Sequence, residues 1–298
     1  MFRSTIPITL LLCAVFSTCS ATQTKHDKEF WRATLEQHAA VPEHESADAL
    51  SHELSSMLAS PDPELRDDLA YSILATWIYR GNVLSTSTLI ALTDEWRANL
   101  KSGIGEAGTN SVLKRSFSAL CLSEMAKREA KSSFMGPERY HGLVADATAY
   151  LQAERDLRGY DPNLHWIHAT AHTADLLAAL ADSPLLTRQE ADGILQAIRS
   201  RLATATEIFT QGEQDRLAIA VVSVIRRKDF EASTFAPWLA QLQEEDRDVW
   251  TSTTPELLAR YQNHNYLLQA LTVRTLMEAD SRRMTDYRQQ VLLILSKR

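Results

Sequence analysis

Apolar residues recur at helical spacing, every three or four positions, along almost the whole chain after residue 25. In SADALSHELSSMLA, residues 46–59, the leucines and the methionine at positions 50, 54, 57 and 58 fall on one face of a helix. Glycine and proline number nine each, and the alternation of apolar and polar residues that is typical of strands is hard to find. The pattern therefore predicts an all-α protein.

Capping residues mark the ends of several predicted helices. Asp62-Pro63 is a strong start, because the aspartate side chain can accept free amide hydrogens and a proline in the first turn needs no donor. Periodicity and caps together predict helices at residues 46–59, 63–80, 87–100, 110–130, 137–154, 162–181, 188–203, 213–227, 235–244, 255–279 and 285–296. With the segment near the N-terminus, the chain has about twelve predicted helices.

The connections between these helices are mostly short, which favours antiparallel neighbours. Helix pairs recur about every 40 residues, so we expect an α-α superhelix, a HEAT-like solenoid of about twelve antiparallel helices. A compact irregular helical domain is the alternative, since no strict sequence repeat is found. No glycine- or serine-rich linker divides the chain, so residues 26–298 are predicted to form a single all-helical domain.

The N-terminus has a different pattern, MFRSTIPITLLLCAVFSTCSATQ, with a basic start, a short apolar run and then small residues. This is typical of a secretory signal peptide, and the apolar run is too short for a membrane span of about 20 residues. We predict a signal peptide over residues 1–21, with a lipoprotein signal over 1–18 and acylated Cys19 as the alternative. Either route predicts export to the periplasm or cell envelope, with Cys19 as the only membrane anchor beyond the signal itself.

Composition and charge remove one class of function. The chain has 298 residues, is 45% hydrophobic and 23% charged, and carries a formal net charge of −7. No run of lysine and arginine with interleaved aromatic residues is present, and phosphate contact requires a clustered basic surface. We therefore do not expect a nucleic-acid partner, and the partner is predicted to be a protein or a small molecule.

The stretch RGYDPNLHWIHATAHTADLLAAL, from residue 158, is the richest in chemistry. On a helix beginning at Pro162, His165, His168, His172 and Asp175 would occupy an arc of about 80°. His168, His172 and Asp175 could then hold a divalent metal such as zinc. The stripe borders an apolar face and lacks the glutamate of an HExxH motif. A metal-free polar pocket and ordinary hydrogen-bonded histidines at the edge of a core therefore remain as alternatives.

Three further groups of charged residues are candidates. Asp156 and Arg158 flank a corner between helices and could form a bridge or face an anionic ligand. Arg115 enters an apolar helix, where an arginine usually bridges a carboxylate. Asp67 and Asp68 lie in the first turn of their helix, where the helix dipole favours carboxylates.

Three motifs in this order carry a family resemblance: DPELRDDLAYSILATWIYRG, SVLKRSFSAL and ERDLRGYDPNLHWIHATAHTADLL. With them, the chain resembles the bacterial domain of unknown function 2785 family over roughly residues 46–284. The resemblance implies an all-helical fold but no activity. It also implies that a recurring pattern includes these positions: Asp67, Arg115, Asp156, Arg158, Trp166, His168, His172 and Asp175. The His165 position is usually a small residue in that pattern, which favours His168, His172 and Asp175 over a three-histidine site.

These observations favour an exported binding or interaction module with one polar groove lined by His168, His172 and Asp175. Whether the protein is an enzyme stays open. The first alternative is a metal-dependent hydrolase in which Asp67 or Asp68 acts as the base toward a bound water. The second alternative is a small-anion binder that uses the arginines at positions 115 and 158, with Trp166 in the same ligand site.

Overall fold

The computed structural model describes residues 25–81, 83–278 and 281–298. The predicted signal peptide, with Cys13 and Cys19, lies outside the described residues. Within them, twelve helices and one short hairpin make up the regular structure. The all-α prediction is confirmed.

The helices agree closely with the predicted segments, except at the start of α7. They are α1 (Lys28–Glu36), α2 (Ala47–Met57), α3 (π-helical Glu64–Tyr71, α-helical Ser72–Ala75 and π-helical Thr76–Gly81), α4 (Thr86–Asn99), α5 (Ser111–Lys131), α6 (Gly136–Ala153), α7 (Ala169–Ala181), α8 (Arg188–Thr204), α9 (Glu213–Ile225), α10 (Phe235–Glu245), α11 (Pro255–Met277) and α12 (Arg282–Leu295). A 3-10 turn, Ala232–Thr234, precedes α10. The predicted cap at Asp62 is present, because its Oδ1 accepts the amide hydrogens of Glu64 and Leu65 at 3.0 and 3.3 Å.

The prediction that a helix begins at Pro162 is wrong. The segment forms a short antiparallel hairpin, whose strands have two residues each: Tyr160–Asp161 (β1) and His165–Trp166 (β2). Helix α7 begins only at Ala169. Asp161 does accept amide hydrogens, from Asn163 at 2.8 Å and Leu164 at 2.9 Å, but it caps the turn of this hairpin. An Asp-Pro pair serves equally well to start a helix or a turn, so the sequence alone did not separate the two.

The helices pack in two layers in the order of the chain. In one layer α3 packs on α5, α5 on α7, α7 on α9 and α9 on α11; in the other, α6 packs on α8, α8 on α10 and α10 on α12. We call the first the odd layer and the second the even layer. Consecutive helices such as α4 and α5, or α8 and α9, join the layers. This stacking of antiparallel helix pairs is the predicted α-α superhelix.

One buried apolar cluster extends from Trp31 to Ile294. Cys121 is a free, fully buried thiol within it. No described helix combines the length and the apolar character that crossing a membrane would require.

Candidate functional site

One face of α7 carries a stripe of side chains that contains candidate site residues. His172, Asp175, Ala179 and Asp182 are spaced three or four residues apart, which keeps them on one face of the helix. His168 directly precedes the helix and lies at the end of the stripe, next to the hairpin. The stripe therefore leads from the hairpin to the middle of the odd layer.

Side chains of α3 and α5 hold the hairpin in place. Arg66 on α3 is fully buried and donates from Nη2 to the carbonyl oxygens of Leu164 and Trp166, at 2.5 and 3.1 Å. Its guanidinium lies 4.8 Å from the ring centre of Phe117 on α5. A small apolar cluster fastens the same segment to α5, with these members: Val112, Leu113, Leu164, Ile167 and Ala169.

His172 is nine-tenths buried, with 7% of its surface exposed. Its Nδ1 lies 2.8 Å from Oγ of Ser116, and that hydroxyl donates to the carbonyl oxygen of Ile167. Because the hydroxyl hydrogen is used there, Nδ1 must donate to Oγ, and Nε2 keeps a free lone pair. Burial, followed by electrostatic interaction with His168 and Arg216, lowers the pKa of His172 well below its ordinary value of 6.5.

His168 is also nine-tenths buried, with 9% of its surface exposed. Its Nε2 lies 3.1 Å from the carbonyl oxygen of Gln211 and 3.4 Å from Oε1 of Glu213. Both neighbours are acceptors, so Nε2 carries the hydrogen and Nδ1 carries a lone pair. The ring stacks on Trp166 at 4.9 Å between centres and meets the ring of His172 at 5.7 Å.

Three rings of the hairpin are exposed to solvent. Tyr160 is 46% exposed and Trp166 is 39% exposed, and His165 is exposed with them. Tyr160 stacks on His165 at 5.6 Å and meets the edge of Trp166 at 5.1 Å. His165 and His168 both have left-handed backbone conformations, with φ of 56° and 51°. Such conformations are uncommon outside glycine and often occur at functional sites.

Asp175 does not join the two histidines. Its Oδ2 accepts from Nη1 of Arg216 at 2.6 Å, on the side of α7 that faces α9. Within residues 25–81, 83–278 and 281–298, no group of three or more His, Cys, Asp or Glu side chains is arranged to hold a metal ion. The geometry therefore brings His168 and His172 together but gives the predicted metal set no third ligand.

The two candidate bases lie on α3 and differ in their surroundings. Asp67 is partly buried and Asp68 is exposed. Burial and the neighbouring Asp68 raise the pKa of Asp67 above its ordinary value of 3.8, and Arg66 and then His165 partly offset this effect. The carboxylate of Asp67 is thus close enough to His165 of the hairpin for their charges to interact. No contact in the described part of the chain arranges Asp67 and Asp68 as an acid and base pair.

Arg115 is part of a buried ionic corner. Its side chain is fully buried and forms a bidentate pair with Glu154, with Nε at 2.7 Å and Nη2 at 3.1 Å from the carboxylate oxygens. Nη1 donates to the carbonyl oxygens of Ser102 and Gly103 at 3.0 and 2.9 Å. All three nitrogens of this guanidinium therefore have acceptors from the protein, which leaves no donor for an anion.

Asp156 and Arg158 complete the same corner. Nε and Nη2 of Arg158 bind the carboxylate of Asp156, and Nη2 also donates to the carbonyl oxygen of Thr109. Arg201 on α8, which is 1% exposed, donates to the carbonyl oxygen of Glu154 at 2.5 Å. This corner fixes the chain between α6 and the hairpin.

A groove lies beyond Asp175 on the odd layer, with a volume of about 470 Å³. Its apolar floor comes from α7, α9 and α11, and charged side chains stand at its rims. We call it the odd-layer groove, and its lining residues are Lys127, Asp175, Ala178, Ala179, Asp182, Ile219, Val222, Ser223, Arg226, Arg274, Met277 and Glu278.

Several residues of this region were not predicted as site residues. Tyr160, Glu213 and Arg216 have no helical spacing to the histidines, because the hairpin and α9 bring them into place. Glu154 was also not predicted, because its partner Arg115 is 39 residues away in the chain and no sequence pattern links the two.

Residues 100–273, more than half of the chain, match the sequence model of the family described as "Protein of unknown function (DUF2785)". The match contains the hairpin, α7 and α9, whereas Asp67 and Asp68 lie before it. No curated protein and no solved structure matches the chain.

Proposed function

The chain belongs to this family, and we propose that it is an exported binding module that holds a segment of another protein in the odd-layer groove. The observation that carries the proposal is the apolar floor of the groove, which crosses three neighbouring helices of the odd layer between charged rims. Stacked helices offer extended surfaces of this kind for polypeptide partners.

The charges at the rims are neutralised within the protein. Arg226 binds Asp182 at 2.6 Å, and Lys127 binds Glu124 at 2.7 Å. Asp175 is paired with Arg216 as described above. A bound segment therefore meets an apolar floor with already paired charges at its sides, which suits the apolar face of an amphipathic helix.

The apolar surface also extends past the groove along α11. Met277, which lines the groove, is 70% exposed, and Leu276 and Val273, which lie outside it, are 60% and 54% exposed. Exposed apolar side chains that continue in this way indicate an interaction surface longer than a small-molecule pocket. This extension favours a polypeptide partner over a small ligand.

The test is selection of peptides from a displayed library of amphipathic sequences on the folded mature chain. We expect enriched peptides whose binding is lost by at least tenfold in Met277→Glu, because a charge would enter the apolar floor. Met277 is highly exposed, so this change leaves the fold intact. Leu293→Glu is the matched control, since Leu293 is 56% exposed on α12 and outside the groove. No enrichment, or equal binding to both variants, would overturn the proposal.

Export is the second part of the proposal, and it rests on the pattern of residues 1–21. Fusing residues 1–30 to a reporter enzyme that is active only after export should give an active reporter. The double change Leu11→Arg and Leu12→Arg breaks the apolar run and should abolish that activity. Retained reporter activity in that variant would contradict the proposal. A separate comparison of the masses of wild type and Cys19→Ser shows whether a lipid is attached to Cys19.

A further inference from the structure

We propose that the hairpin end of the α7 stripe binds a guanidinium group, as an arginine side chain of the bound segment would present it. We call this the hairpin site, and its members are Asp67, Tyr160, His165, Trp166, His168, His172 and Glu213. The inference rests on the proposed function for the source of the arginine, and the recognition chemistry rests on the hairpin site alone.

The first argument is the acceptor that His172 leaves unused. Ser116 gives its hydroxyl hydrogen to Ile167, so it takes the hydrogen on Nδ1 of His172. Nε2 is then an acceptor, and among the described residues no group donates to it. The ring is nine-tenths buried, but Nε2 is not one of the enclosed unpaired atoms of the described residues, so it can accept a hydrogen from a ligand that approaches from solvent.

The second argument is that His168 repeats the same arrangement. Its Nε2 hydrogen faces the carbonyl oxygen of Gln211 and the carboxylate of Glu213. Nδ1 is left as an acceptor, and the two rings are 5.7 Å apart between centres. Two neighbouring imidazoles therefore each offer a lone pair, which suits a ligand with several N–H donors in a plane.

The third argument is the exposed aromatic surface beside these acceptors. Trp166 lies over His168 and shows 39% of its surface to solvent, and Tyr160 adjoins it with 46% exposed. The faces of such rings attract cations, and a planar guanidinium stacks on tryptophan. The rings thus define the side of the site on which a cation would lie.

The fourth argument is the carboxylate of Asp67. Arg158 is paired with Asp156 and Arg216 with Asp175, whereas Arg66 binds carbonyl oxygens of the hairpin and forms no ion pair. Asp67 beside the hairpin has no hydrogen-bond or ion-pair partner for its carboxylate among the described residues. Asp67 is therefore the carboxylate of the hairpin site that can pair with a ligand, and its partner would be a cation.

The experiment uses N-ethylguanidinium as the probe and the neutral, similarly shaped N-ethylurea as its control. Binding is followed by amide NMR signals of Ile167 and Ala169 in the folded mature chain. We expect saturable shifts with the guanidinium in the millimolar range and no saturation with the urea. Equal responses to both probes, or no response to the guanidinium, would overturn the inference.

Variants locate the binding. Trp166→Leu and Asp67→Asn should each weaken the affinity about fivefold, the size expected from removing one exposed cation–π contact or one carboxylate. Trp250→Leu is the matched control, because Trp250 is 66% exposed on the loop before α11 and contacts only the ring of Tyr261 among the described aromatic rings. If both site variants bind as well as this control, the inference is wrong.

The outcome is separable from that of the groove experiment. Loss of guanidinium binding with peptide binding still dependent on Met277 would refute the hairpin site and leave the groove in place. If both sites hold, selected peptides should carry an arginine, and its replacement by citrulline should weaken binding to wild type more than binding to Asp67→Asn.

Discussion

Nδ1 of His172 lies 2.8 Å from Oγ of Ser116, and the serine hydroxyl donates in turn to the carbonyl oxygen of Ile167. This short chain of hydrogen bonds joins α5, the hairpin and α7. It also fixes which nitrogen of His172 carries the hydrogen, and so it decides what the hairpin site can offer a ligand.

Replacing Ser116 with alanine should therefore destabilise the protein. The change leaves both Nδ1 of His172 and the carbonyl oxygen of Ile167 without a partner, and we expect a loss of about 1–3 kcal/mol in the free energy of unfolding. Ser123→Ala is the control, because the buried Ser123 donates only to Leu120 within its own helix. Urea denaturation measures both variants, and equal losses would contradict the role given to Ser116.

The buried imidazole of His172 predicts a dependence of stability on pH. Its pKa in the folded protein is well below 6.5, whereas a histidine in an unfolded chain keeps a pKa of about 6.5. Below that pH the unfolded state binds a proton that the folded state does not, so stability is complete above pH 6.5 and falls as the pH falls. The slope is at most about 1.4 kcal/mol per pH unit for one proton.

His172→Gln should remove this contribution, so that wild type and variant converge in stability between about pH 6.5 and pH 5. The groups that face the ring, His168, Arg216 and Arg66, stay in place. His44→Gln changes an exposed histidine and should leave the pH dependence as in wild type. A pH dependence that persists unchanged in His172→Gln would assign it to other groups.

The stacked helices and most of their ends were predictable from the sequence, because apolar spacing and caps such as Asp62 are local signals. The hairpin was not predictable. The donors that stabilise it come from Arg66, 98 residues before Leu164 along the chain, and from Ser116, 51 residues before Ile167. Asp161-Pro162 fits a helix start equally well, so only these distant contacts select the turn.

The same limit applies to the site. His172 and Asp175 share one face of α7, as helical spacing requires, but their partners Ser116 and Arg216 belong to α5 and α9. Helical spacing shows which side chains lie on one face. It does not show that a neighbouring helix has already taken the carboxylate of Asp175.

The predicted metal set can be tested by chelation. Asp175 binds Arg216, and His168 and His172 each use one nitrogen within the protein. We therefore expect protein purified without chelator to keep the same unfolding temperature after EDTA treatment, with calcium-saturated EDTA as the control. Elemental analysis of the same samples completes the test. A stoichiometric metal that leaves together with thermal stability would favour the metal-dependent hydrolase.

The buried corner around Arg115 predicts a large effect from a single change. Arg115→Met leaves the carboxylate of Glu154 buried without its cation, which should cost about 3–5 kcal/mol. Arg139→Met removes an exposed bridge to Asp94 on the surface, and its loss should stay below about 1 kcal/mol. Denaturant unfolding compares the two. Similar losses would mean that the buried pair contributes no more than the exposed one.

Two glycines should respond to alanine in opposite directions. A Cβ at Gly159 would lie 2.5 Å from Cγ of Gln211 and 2.6 Å from Oε1 of Glu213, the residues that hold His168. Gly159→Ala should therefore destabilise the protein by about 1–3 kcal/mol and shift the ring of His168. A Cβ at Gly193 would meet nothing within 4 Å.

Gly193 lies inside α8, where alanine restricts the unfolded chain and favours the helix, so Gly193→Ala should stabilise the protein by about 0.5–1 kcal/mol. Denaturant unfolding gives both signs, and the NMR signal of the His168 ring reports the local change. Stabilisation by Gly159→Ala would show that α9 can move away from the hairpin. The packing that positions His168 would then be looser than the contacts of Gln211 and Glu213 require.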